Sequence, residues 1–129
     1  MPASLAISRI GQIALSASDL DRATAFYRDV LGMKFLFSAP PGMSFFECGG
    51  VRLLIGGPEA GGGAQAATTL FYFVPDIRDA ARVLTERGVA FDRDPIMIAK
   101  LADREVWLAE FKDSEGNSAA LMSEVPLAN

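Results

Sequence analysis

The sequence predicts an α+β fold made of two βαβββ modules, and three observations carry that prediction. The stretch QIALSASDL from Gln12 aligns with TLFYFVPDI from Thr69, an offset of 57 residues that also lays Asp19 on Asp76, Leu20 on Ile77 and Ala23 on Ala80. Each copy opens with a period-2 strand pattern and passes through a capping Ser or Asp into an apolar stripe at helical spacing. Each then continues in short apolar runs separated by Gly- and Pro-bearing turns, as hairpin strands do.

In the first copy, Ile13 and Leu15 alternate with Gln12, Ala14 and Ser16, so this strand has two chemically different faces. Ser18 or Asp19 caps the helix that follows, Leu20, Ala23, Phe26, Tyr27, Val30 and Leu31 form its stripe, and Gly32 suits the left-handed position that ends it. Strands are expected at 34–37, 44–48 and 51–55, divided by a Pro40-Pro41-Gly42 turn and a Gly49-Gly50 turn. In the second copy Asp76 caps, Ile77, Ala80, Ala81 and Leu84 form the stripe, and Gly88 stops the helix. Gly32 and Phe35 match Gly88 and Phe91 at an offset of 56, so the second helix is one residue shorter. Strands are then expected at 90–93, 105–111 and 118–122, with an irregular apolar segment at 95–103 (PIMIAKLAD) that serves either as an adaptable lid or as an interface. One helix covers one face of a four-stranded sheet, so the uncovered faces must either curl together around a cavity or pair with a second chain.

A length of 129 residues suits one compact domain: module one at about 8–57, a Gly/Ala-rich linker at about 58–67 (PEAGGGAQAA) and module two at about 68–125. Twelve basic against 16 acidic residues give a net charge of −4 without a basic run, which argues against nucleic acid as a partner. No apolar run approaches the ~18 residues of a membrane span, and Arg9 interrupts what would have to be a signal sequence's apolar stretch, so a cytoplasmic protein without a membrane partner is expected. Cys48 is the single cysteine, which rules out an intrachain disulfide. The chain has no histidine, and that removes Ser-His and Cys-His nucleophilic systems, imidazole acid/base chemistry and every His-containing metal site.

The segments from Gln12 through "DLDRATAFYRDVLG", from Thr69 through "VPDIRDAARVLTERGV", and "DSEGNSAALMSE" after Lys112 resemble the vicinal oxygen chelate superfamily of glyoxalase, bleomycin-resistance and dioxygenase proteins, over essentially the whole chain. The resemblance implies mixed sheets that curl into a partly closed, barrel-like pocket, often in a homodimer. It also implies four metal-ligand positions, which fall here on Gln12, Leu54, Thr69 and Ala120. Gln is an allowed first ligand in some of these glyoxalases, but Leu54 and Ala120 carry no donor atom and a Thr hydroxyl is a poor one, whereas a divalent cation needs several oxygen or nitrogen donors. No metal and no cofactor are therefore expected.

If Ile13, Leu15, Leu70, Tyr72 and Val74 face the helices, then Gln12, Ala14, Ser16, Arg52, Leu54, Thr69, Phe71, Phe73, Ser118, Ala120 and Met122 line the opposite, cavity face. That lining is apolar and aromatic with a few neutral hydrogen-bonding groups and one cation, a mix suited to a small organic molecule. Trp107 either stacks on a planar ligand, anchors a second copy or packs in the core. Glu47, Glu105 and Glu110 are the carboxylates nearest the expected pocket, and of these Glu47 and Glu110 are the candidate bases should the protein be an enzyme. The sequence thus predicts a metal-free binding protein for a small apolar or aromatic ligand. A lyase, isomerase or dioxygenase of this superfamily and an interaction module with a filled pocket are the alternatives.

Overall fold

In the computed structural model, residues 5, 6, 9–60 and 68–127 are described, so most of the expected linker, residues 61–67, lies outside the described residues. The first module runs β1 (Gln12–Ser16), α1 (Leu20–Ala25), β2 (Lys34–Ala39), β3 (Met43–Cys48) and β4 (Val51–Gly56), and a short 3₁₀ turn, Pro58–Ala60, follows. The second runs β5 (Leu70–Phe73), α2 (Ile77–Glu86), β6 (Ile96–Lys100), β7 (Arg104–Lys112) and β8 (Ser118–Pro126). The strand orders are β1-β4-β3-β2 and β5-β8-β7-β6, with the first strand of each module parallel to the last and the remaining pairs antiparallel. Two equivalent mixed sheets therefore follow from the repeat.

The helix starts match the sequence reading. Asp19 Oδ1 accepts from the Arg22 amide at 3.0 Å and Asp76 Oδ1 from the Asp79 amide at 3.1 Å, so each helix loses an orphan donor to a side chain. Gly32 and Gly88 take φ of 74° and 96°, the left-handed conformation that lets the chain leave a helix. The first helix differs from expectation in its second half: after Ala25 it widens into a π-helical turn, Phe26–Val30, closed by Leu31 N donating to Phe26 O at 3.0 Å.

Apolar periodicity places the cores. Leu15, Ala23, Tyr27, Phe46, Leu53 and Ile55 join α1 to the first sheet, while Ile77, Ala81, Leu84, Ala109, Phe111 and Leu121 join α2 to the second. Phe26 and Leu31, at the ends of the π turn, pack against both clusters, so the two modules share apolar contact around α1.

Two expectations are corrected. The strand expected at 90–93 is reduced to a single bridge from Phe91 to Phe111, and the segment expected to be irregular contains β6. The reason is position: β6 is an edge strand on β7, with Ile96, Met97 and Ile98 all exposed and a register shift between Met97 and Ala99, so it lacks the one-sided burial that writes an alternating pattern. The two sheets stop short of a closed barrel, as the expected partly closed form allows. Among the described residues, no strand of one pairs with a strand of the other, and β1 and β5 are both free edges.

Candidate ligand-binding faces

The strand register builds the helix-free face of the first sheet row by row. Gln12, Arg52, Glu47 and Lys34 stand abreast across β1, β4, β3 and β2; Ala14, Leu54, Phe45 and Phe37 form the next row, and Ser16, Gly56, Met43 and Ala39 the third. A polar, charged row thus borders an aromatic floor. Phe37 stacks on Phe45 with centroids 4.5 Å apart, and the Arg52 guanidinium lies 5.8 Å above the Phe45 ring. Glu47 turns back on its own hairpin, accepting from the Gly50 amide.

On the second sheet, Phe71, Ala120 and Glu110 form one row and Phe73, Met122, Leu108 and Ile96 the next. Phe71 and Phe73 remain 50% and 63% exposed, large values for side chains that lose so much apolar contact with water when covered. Ala120, flanked by Phe71 and Glu110, is fully buried. Thr69 lies immediately before β5 and is partly buried.

Of the residues singled out in the sequence, Gln12, Arg52, Leu54 and Glu47 therefore share one face, and Phe71, Ala120, Met122 and Glu110 share another. Glu47 and Glu110 stand on different sheets. Trp107 is on the helix-bearing side of β7: it packs against the α2 core, lies 5.1 Å beneath the Arg78 guanidinium, and its Nε1 donates to Glu105 at 3.1 Å. Phe37, Phe45 and Met43 complete the first face and had not been singled out, although the period-2 pattern of their strands carried the signal.

The four positions at which the resemblance implies metal ligands do not suit a cation. Leu54 and Ala120 have no donor, and Arg52, beside Gln12 in the register, sets a positive charge next to the one good oxygen. Among the described residues, no three His, Cys, Asp or Glu side chains gather as a metal site.

Away from these faces, a polar latch ties the modules together. Glu115, in the turn between β7 and β8, accepts from Arg22 Nε at 2.7 Å, the Asp19 amide at 2.9 Å and Ser18 Oγ at 3.0 Å. Beside it, Tyr27 Oη donates to Asp113 Oδ2 at 2.6 Å and Asn117 Nδ2 to the Ser16 carbonyl at 2.9 Å. The hydrogen bonds from Arg22 hold the Glu115 carboxyl down to about 2, against burial. Burial pushes the Tyr27 phenol far above its ordinary range, so it stays a donor. The Asp-Ser-Glu-Gly-Asn turn was visible in the sequence; that it grips the first helix was not.

Comparison with known proteins agrees with this architecture. The family model for the Glyoxalase/Bleomycin resistance protein/Dioxygenase superfamily matches residues 9–121. Among solved structures, lactoylglutathione lyase from Agrobacterium tumefaciens is similar at a TM-score of 0.77 and 23% identity, over 92% of this chain and 95% of that one. A superfamily member from Sphaerobacter thermophilus is similar at 0.75 and 25% identity, over 93% and 100%. An integron cassette protein from the mobile metagenome of V. cholerae is similar at 0.76 and 22%, over 94% and 98%. No curated protein sequence matches the chain. None of the helices in the described residues is long and apolar enough to cross a membrane.

Proposed function

Since the chain belongs to the Glyoxalase/Bleomycin resistance protein/Dioxygenase superfamily, we propose that it is a metal-free member that binds a small, apolar or aromatic organic molecule as a homodimer. The observation that carries this reading is the chemistry of the helix-free faces: an aromatic floor of Phe37 and Phe45 under Arg52 on one sheet, and exposed Phe71 and Phe73 on the other. Stacked rings bordered by Gln12 and Arg52 favour a planar ligand with a polar end, because the rings supply area and the two side chains supply direction. A second copy laid over these faces turns open sheets into an enclosed pocket and removes Phe71 and Phe73 from water.

The donor set supports binding over metal-dependent chemistry, since a ligand set with Leu54 and Ala120 in it has no Lewis-acid site to build on. The test is native mass spectrometry with elemental analysis on protein purified from its own cells. A dimer carrying an organic mass and no stoichiometric divalent ion is expected; a bound divalent ion that is lost in Gln12→Ala would overturn the reading.

A further inference from the structure

On the helix-free face of the first sheet, one cation rests on a ring and has no counterion. Arg22, Arg28, Arg82 and Arg104 each hold a carboxylate, whereas among the described residues Arg52 makes neither an ion pair nor a hydrogen bond. Glu47 stands directly opposite Arg52 in the strand register, where opposite charges ordinarily pair, yet its carboxylate accepts from the Gly50 amide of its own hairpin. We propose that Arg52 is the anchor for an anion, and that the ligand of this face is a planar aromatic monocarboxylate. This class presupposes the binding role proposed above for the same face.

Charge, spacing and the neighbouring rings define the class. The row of Gln12, Arg52, Glu47 and Lys34 carries two positive charges and one negative, an excess of positive charge in a chain whose net charge is −4. Neighbouring strands lie about 4.8 Å apart, so Lys34, two strands from Arg52, is roughly 10 Å away and a small anion at Arg52 meets one cation only. One guanidinium matches the single charge of a carboxylate and leaves the second charge of a phosphomonoester uncompensated. The Arg52 guanidinium lies 5.8 Å from the Phe45 ring centroid, and stacking of this kind engages the face of a guanidinium while leaving its N–H edge for an acceptor. Gln12, exposed on the side of Arg52 away from Glu47, has an amide to donate to the same carboxylate. A ring joined to that carboxylate extends over the next row, where the small Ala14 and half-buried Leu54 stand beside the stacked Phe45 and Phe37.

Two probes of one shape isolate the charge. The full-length protein is titrated by calorimetry with 2-naphthoate and with the neutral 2-naphthamide at a pH of about 7, well above the carboxyl range. Wild type is expected to bind naphthoate about tenfold tighter than naphthamide, the worth of one charge-assisted contact. That preference should narrow as sodium chloride rises from about 0.01 M to about 1 M, over which the screening length falls from about 30 Å to about 3 Å. Arg52→Gln, whose fold is checked by a circular dichroism melt, should bind both probes equally and at the wild-type affinity for naphthamide. Equal affinities in wild type would overturn the anionic class and leave the face as a binding surface for neutral rings. A naphthoate preference that survives Arg52→Gln would overturn the assignment of the anchor. Binding of neither probe by wild type would overturn the binding role of the face itself, and the anionic class with it.

Discussion

Neutralising Glu115 should loosen the joint between the modules. Its side chain is 2% exposed and accepts from Arg22, Ser18 and the Asp19 amide, and these bonds lower its pKa from the usual 4.5 to about 2. A tenfold change in acidity is worth about 1.4 kcal/mol, so the lowered pKa contributes about 3 kcal/mol of folding stability, an upper figure because Arg22 is half-exposed and its charge is partly screened. The sign follows from the direction: a depressed carboxyl contributes fully above the unfolded value of 4.5 and is progressively lost as the pH falls from 4.5 towards 2. Glu115→Gln keeps the size and removes the charge. Urea denaturation of wild type and variant between pH 7 and pH 2 should give a loss of about 2–3 kcal/mol at pH 7 that shrinks as both proteins are acidified. A variant as stable as wild type at pH 7, or one that keeps the full wild-type acid limb, would refute the assignment of that stability to Glu115.

Tyr27→Phe removes the donor to Asp113 from a buried site and should cost about 1–3 kcal/mol by the same denaturation measurement at pH 7. Gly32→Ala should cost about 1 kcal/mol from backbone conformation alone, because φ is 74° and an added Cβ meets nothing within 4 Å; a drop in the thermal midpoint without a change in fold by circular dichroism checks it. Phe73→Ser, at a side chain 63% exposed in the single chain, should weaken dimerisation in sedimentation equilibrium while changing the monomer's stability by less than about 0.5 kcal/mol. An unchanged association constant would remove the second sheet's outward face from the proposed interface.

What the sequence by itself determined was local and periodic. The 57-residue repeat, the Asp19 and Asp76 caps and the glycines that end each helix are written in neighbouring residues, because capping, left-handed turns and apolar stripes are properties of a few consecutive positions. The parity of β1 and β4 likewise placed Gln12, Arg52 and Leu54 on one face before any tertiary contact was known. Tertiary structure alone decided the rest. β6 has no one-sided burial to pattern it, Trp107 falls on the side that its own strand's alternation could not tell from the other, and Glu115 meets Arg22 across 93 residues, a separation no local rule reaches.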